Sequence, residues 1–225
     1  MMRCKICLGE NIEEIYNDKI RSGTYGKLTK KNHSILKCEK CNVVFLNKVL
    51  ADDYYESEEY REDYNDEASI DQYQQLQDKL ETSKIYKIGL HNFRNKIVAD
   101  FGCGGGSFLD GIHGFTKKTI AIEPTRSFHS HLSKKHTVFS YGDELVNNGE
   151  KIDIATSFDV IEHVSDPLSY LSDIYKSLNV GGEFYIKTPN HREILHDLLA
   201  DNYAQFDYRT AHLFYFNKES MTYIL

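Results

Sequence analysis

No stretch of this 225-residue chain approaches the roughly 18 consecutive apolar residues that a membrane-spanning helix needs. Positive charge is also short: 27 Lys and Arg stand against 34 Asp and Glu, a formal net charge of −7. That balance argues against nonspecific attraction to nucleic acid or to an anionic membrane. The first residues, MMRCKICLGE, lack the apolar core of a secretory leader, so a cytoplasmic address is the expectation. There is no internal repeat and no Gly/Ser-rich linker. Cysteine is scarce at five residues, and in a reducing compartment cysteine pairs read as metal ligands before disulfides. What is present is a 40% hydrophobic share, enough for one good-sized α/β domain with a small appendage.

Four of the cysteines fall in two pairs, CKIC (Cys4, Cys7) and CEKC (Cys38, Cys41). Two such knuckles can present four thiolates tetrahedrally to one Zn²⁺. A redox role fits less well, because neither CxxC opens a helix after a strand. Four thiolates leave no open coordination position, so such a zinc is structural. The stretch from 8 to 37 is longer than compact ribbons use, and NVVFLN after the second pair reads as a ribbon strand. Residues 1–50 are therefore expected to form a zinc ribbon.

Residues 51–94 change character. ADDYYESEEYREDYNDEASIDQYQQ is acidic and tyrosine-rich, as a solvated helical linker would be. In a lid over the next domain's ligand, Tyr64, Tyr73 or Gln74 would touch it. Ile70, Tyr73, Leu76, Leu80, Ile85, Ile88 and Leu90 recur at roughly helical spacing and predict an amphipathic helix. At the other end, NKESMTYIL predicts a helix capped by Asn217 and still running at Leu225. A domain seldom stops in mid-helix, so further C-terminal strands are expected to be missing.

From residue 96 the period alternates. KIVADF, KTIAIE, HTVFSY, IDIATSF and GGEFYIKTP read as strands, and GSFLDGI, TRSFHSHLSKK and DPLSYLSDIYKSL as helices. That alternation predicts an α/β, Rossmann-like, doubly wound and mostly parallel sheet over 95–225. Ligands on such sheets sit at the carboxyl ends of the strands. There VADFGCGGGSF offers glycines for close backbone approach, but the dinucleotide pattern G-x-G-x-x-G has Ser107 at its third position. Asp100, ending the first strand, would repel a pyrophosphate and welcome an ammonium or a sulfonium. S-adenosylmethionine carries both and has no phosphate. Glu123 ends the second strand, where an acid can accept both ribose hydroxyls. Asp143, after the third strand, can accept from an adenine amino group. Cys103 reads as a small filler in the loop.

VADFGCGGGSF, AIEP, IDIATSFDVIEHVSDP and GGEFYIKTPN, in that order over residues 96–190, resemble the motifs of class I S-adenosylmethionine-dependent methyltransferases. The paired CxxC ahead of them resembles a subgroup with an N-terminal zinc-binding module. That subgroup includes sugar C-methyltransferases and proteins of surface-polysaccharide or secondary-metabolite synthesis. The resemblance implies a seven-stranded sheet ending in an antiparallel hairpin. It also implies cofactor contacts at Asp100, Gly102, Gly104, Glu123 and Asp143, with Phe158 beside the methyl donor and Tyr73 from the lid.

Methyl transfer to a hydroxyl can use a base. His163 in DVIEHV follows the fourth strand and is the first candidate, with Glu162 beside it and His212 in reserve. His191 and Arg192 stand at the end of the fifth strand. Arg209, His212 and Tyr215 lie in a segment that, in the resembling enzymes, returns over the substrate pocket. Histidines with arginines suit phosphate or carboxylate. The expected partner is an anionic small molecule, such as a nucleotide sugar or phosphorylated metabolite, with no nucleic acid and no membrane. O-methylation comes first, and sugar C-methylation or quinone-type O-methylation are alternatives. A nicotinamide-dependent oxidoreductase and a noncatalytic zinc- and cofactor-binding module remain as other classes.

Overall fold

Apolar runs too short for helices build the central layer. In the computed structural model, which describes residues 3–22, 27–47, 70–191, 194–199 and 201–225, five of them pair in one parallel sheet. They are β4 (Ile97–Phe101), β5 (Lys118–Ile122), β6 (Thr137–Phe139), β7 (Ile152–Phe158) and β8 (Leu178–Lys187). Their order is β6-β5-β4-β7-β8, and every pairing is parallel. The strand earliest in sequence lies in the middle and the chain winds outward to both sides, which is the doubly wound order. Alternate residues serve opposite faces. Val98 and Ile154 pack with Phe93, Phe108 and Leu109, while Ala99, Phe101 and Ile120 pack with Leu145 and Ile174.

Contacts divide the chain into two compact units. The sheet belongs to the second, residues 55–160 and 170–187. The first gathers residues 1–54, 161–169 and 188–225. The linear segments read from the sequence, 1–50, 51–94 and 95–225, are thus cut across by discontinuous units.

The helices are α1 (Ile70–Ile88), α2 (Ser107–Ile112), α3 (Arg126–Leu132), α4 (Gly142–Asn148), α5 (Pro167–Ser177), α6 (Ile194–Leu199), α7 (Asp201–Asp207) and α8 (Lys218–Ile224). The amphipathic reading of α1 needs correcting at two positions. Tyr73, Ile85 and Ile88 pack on the core, but Leu76 and Leu80 are 63% and 59% exposed. Asn217 caps α8 as expected: its side chain accepts from Ser220 N at 2.8 Å, and Ser220 Oγ accepts from Asn217 N at 2.9 Å.

The first unit carries an antiparallel sheet, β1 (Ile12–Asp18), β2 (His33–Cys38), β3 (Val44–Leu46) and β9 (Phe214–Tyr215), in that order. The strand expected in NVVFLN is β3. β9 was not foreseen: Val44 pairs with Tyr215 and Phe45 with Phe214. A two-residue strand has no period to read, and its partner lies about 170 residues away. Ile20, Ile35, Val44, Leu46, Tyr208 and Tyr215 fill this unit's core. Among the described residues no helix is long and apolar enough to cross a membrane.

Candidate functional site

The loop after β4 turns through three left-handed glycines, Gly102, Gly104 and Gly106, at φ +80°, +54° and +86°. A side chain at Gly102 would stand 2.5 Å from Val160 Cγ2, and one at Gly104 would stand 2.8 Å from the Tyr73 hydroxyl. The first two glycines therefore meet both a backbone and a space demand. Gly102 N and Cys103 N donate to the Ile122 carbonyl at 2.7 and 3.2 Å, tying the loop to the neighbouring strand. Glu123 completes the tie: Oε2 accepts from Gly104 N at 2.8 Å and Oε1 from Thr125 N at 2.9 Å.

Asp100 is buried, and Oδ1 accepts from Thr156 Oγ1 at 2.7 Å. Burial, against that hydrogen bond, pushes its carboxyl up to about 7. A buried acid with a single hydroxyl donor is a site that gains from a cation. Ser107 Oγ is buried with no hydrogen-bond partner among the described residues, so the loop keeps a polar atom for something further. Gln74 Nε2 donates to the Gly105 carbonyl at 2.8 Å and lies 3.1 Å from His131 Nε2, which fastens α1 to the loop beside Tyr73. Phe158 packs edge-on to Phe108, and Lys84 Nζ lies 4.7 Å over its ring. Asp143 is exposed in the first turn of α4. These donors and acceptors fit S-adenosylmethionine, with acids for its cationic end and ribose. A cavity of about 650 Å³ lies elsewhere in this unit, lined by Gly149, Lys151, Tyr175 and Gly182. It borders the amino ends of β7 and β8, opposite the strand ends that carry the acids, and has no part in this chemistry.

The histidines gather in the first unit. Ligand atoms of Glu162, His163 and His212 lie within 4.8 Å of one another. His163 and His212 meet ring edge to face, with centroids 4.8 Å apart. His163 Nδ1 lies 2.8 Å from the Ala211 carbonyl, which can only accept. Nδ1 therefore carries the proton and Nε2 is the basic nitrogen. His212 is held well below the usual histidine range, by burial first and the neighbouring His163 second, so it is neutral at pH 7. Glu162 is buried and accepts from Thr188 Oγ1 at 2.8 Å. A small cavity is lined by Glu162, Thr188, His191, Asp207, His212 and Tyr215. His191 Nδ1 stands 3.6 Å from Asp207. Arg209 Nε is buried without a hydrogen-bond partner among the described residues.

Tyr215 lines the same small cavity, and its hydroxyl accepts from Arg209 N at 2.8 Å and donates to Arg209 O at 3.1 Å, which ties it to the turn that presents Arg209. Arg192 and Tyr64 lie outside the described residues.

The cysteines also converge. All four sulfurs lie within 4.8 Å of one another, with Cys4 and Cys41 at 3.7 Å and Cys7 and Cys38 at 3.4 Å. No disulfide joins them. Sulfurs about 3.8 Å apart are what a tetrahedral centre with bonds of about 2.3 Å requires. Burial pushes the Cys4 thiol up to about 11, whereas at Cys38 hydrogen bonds outweigh burial and hold the thiol below its usual range; a divalent cation is what would hold all four as thiolates.

The sequence reading missed several partners. Thr156 meets Asp100 through cross-strand register, which no local pattern displays. Asp207 and Thr188 reach the histidines by tertiary folding alone.

Residues 70–225 match a family model described as a methyltransferase domain. A tRNA U34 carboxymethyltransferase from Campylobacter fetus subsp. fetus is 33% identical over 106 residues, 43% of this chain and 38% of that protein. A protein from Mycolicibacterium smegmatis, named a probable S-adenosylmethionine-dependent methyltransferase, is 26% identical over 110 residues, 47% of this chain and 43% of its own. The chain thus spans less than half the length of these curated relatives. Among solved structures, a SAM-dependent methyltransferase from Archaeoglobus fulgidus shares the fold with a TM-score of 0.53 and 19% identity, covering 65% of this chain and 66% of that one.

Proposed function

The chain belongs to the methyltransferase-domain family, and on that premise we propose that it methylates an anionic small molecule, a nucleotide sugar or phosphorylated metabolite, on oxygen. A place in surface-polysaccharide modification belongs to the same proposal. The observation that carries the cofactor half is the buried Asp100 behind the left-handed glycines, with Glu123 on the next strand. When bound, S-adenosylmethionine supplies a sulfonium methyl open to in-line displacement. The chain's own residues then have three tasks. Asp100 favours positive charge, Glu123 accepts from ribose hydroxyls, and the glycines let the ligand approach the backbone. A dinucleotide oxidoreductase is disfavoured by the same acid, because Asp100 repels a pyrophosphate.

For the acceptor, His163 Nε2 takes the hydroxyl proton, while neutral His212 and Glu162 hold the imidazole in place. Arg209 supplies positive charge and His191 a hydrogen bond to the acceptor's anionic group. Replacing His163 by Gln should lower turnover by roughly 10²–10⁴ with cofactor affinity unchanged. With a general base, activity should rise with pH over the range in which the base loses its proton. An acceptor oxygen that is already anionic would instead give nearly flat turnover above about pH 6, with KM raised more than kcat lowered. Kinetics of His163→Gln and His212→Gln across pH 6–9 separate the two. If neither kcat nor KM moves in either variant, the histidines are structural and the proposal for this cluster fails.

We further propose one structural Zn²⁺ on Cys4, Cys7, Cys38 and Cys41, which assigns the chain to the subgroup with an N-terminal zinc module. The supporting observation is the sulfur spacing.

A further inference from the structure

We propose that Arg21 and Arg209 form a two-armed subsite for a phosphoryl group, the anionic end of the methyl acceptor. This rests on the anionic-acceptor reading above, to which it adds Arg21 and a choice of phosphoryl over carboxylate.

The two arginines come from opposite ends of the sequence, yet their backbones pair. Arg21 N donates to the Tyr208 carbonyl at 2.9 Å, and Thr210 N donates to the Arg21 carbonyl at 3.0 Å. The result is a parallel bridge with Arg21 opposite Arg209. Residues opposite each other in such a bridge send their side chains to the same face. Two guanidinium groups thus leave one face of one short ribbon, and both residues are partly buried. Like charges placed side by side away from bulk water repel. An anion between them removes that cost.

Each arm is held in place. The Arg21 guanidinium stands 5.2 Å over the Phe206 ring, a cation–π contact that suits arginine. The Tyr215 hydroxyl bonds both backbone groups of Arg209. Arg209 carries the clearest demand for a ligand. Its Nε is buried with no hydrogen-bond partner, and it makes no ion pair, among the described residues. Asp207, two residues earlier, lies 3.6 Å from His191 Nδ1. After burial and the neighbouring His163, the charges of Arg209 and Arg21 also keep His212 from taking a proton, so both arms lie near the histidine cluster. A carboxylate carries one charge on two oxygens, which a single guanidinium fork matches. A phosphate monoester carries about −2 on three terminal oxygens at pH 8, which suits two forks.

Calorimetry on the full chain at pH 8 and constant ionic strength tests this, with methyl phosphate and acetate as the two anions. Methyl phosphate should bind at least about tenfold more tightly than acetate. Arg21→Met and Arg209→Met should each weaken methyl phosphate binding by about 10- to 100-fold, as loss of charge-assisted hydrogen bonds does. Arg21→Lys keeps the charge but loses the fork, and should weaken binding about three- to tenfold. Hydrogen exchange at β2, β3 and β9 reports whether each variant is folded, and where Arg21→Met is not, Arg21→Lys decides. Unchanged affinity in the folded Arg21 variants, or acetate bound as tightly as methyl phosphate, would overturn the proposal while leaving Arg209 its anion. Unchanged affinity in folded Arg209→Met would overturn both. If the unaltered chain binds neither anion, the anionic-acceptor reading falls first and takes this inference with it.

Discussion

The two units of this chain were unequally readable. In the second, the parallel sheet, the glycine loop and the acids at Asp100 and Glu123 lie within one run of sequence, where each strand is followed closely by its helix. In the first, the sheet is assembled from both ends of the chain: β9 pairs with β3. The difference lies in where the partner of each element sits. Hydrophobic period is a local signal and reports βαβ units well. Antiparallel pairing between termini is a choice of register that period cannot report.

Metal should separate the two units most strongly. If zinc organises the first unit, Cys4→Ser or strong chelation should remove about one Zn²⁺ per chain and much of that unit's stability. Structural zinc contributes on the order of 10 kcal/mol in small modules. Hydrogen exchange should accelerate at β1 to β3 and also at β9, whose hydrogen bonds belong to the same sheet. Amides of β4 and β5 should keep their protection. Faster exchange confined to residues 3–47 would separate β9 from the ribbon. Absence of zinc from the purified protein would refute the metal.

Legibility within the site follows the same rule. Cys4, Cys7, Cys38 and Cys41 announced themselves by spacing, and their sulfurs do converge. Glu162, His163 and His212 were chosen as residue types near strand ends, and they share one cluster. The tie from the Tyr215 hydroxyl to the backbone of Arg209 is invisible in the sequence, because an aromatic, polar side chain does not announce which backbone groups it will bond. Glu81 and Lys84, an ion pair on α1 whose side chains are only 13% and 15% exposed, are three residues apart in ETSK, a spacing that reads as an ordinary surface pair on a helix. Only the orientation of α1 turns them inward, and that follows from packing rather than from propensity.

The acids of the second unit should give the next largest effect. Glu123→Ala should weaken S-adenosylmethionine binding by about 1.5–3 kcal/mol, as loss of hydrogen bonds to a charged group does. It also releases Gly104 N and Thr125 N, so the loop should loosen in the free protein. Unchanged affinity by calorimetry would remove Glu123 from the site. Unchanged exchange at Gly104 would show that the loop holds its shape without the brace.

The smallest effect concerns Asp100, and its sign can be worked out. The folded carboxyl titrates at about 7, above its unfolded value of about 4. The folded chain therefore binds the proton more tightly. That contribution to stability is fully present below about pH 4 and is lost as pH rises to about 7, so the free protein should lose stability over that window. A cationic ligand reverses the preference, because the ionised carboxylate is the form that attracts it. Binding should then release up to about one proton at pH 6, and affinity should climb by at most about tenfold per pH unit until it levels near 7. Asp100→Asn keeps the shape and removes the titration. It should flatten the affinity profile and weaken binding at pH 8 relative to the native residue. Calorimetry at pH 6 in two buffers of different ionisation enthalpy counts the proton directly. If affinity is level from pH 6 to 8 and no proton is released, Asp100 either stays protonated in the complex or lies away from the positive charge, and its attraction for the sulfonium end is disproved.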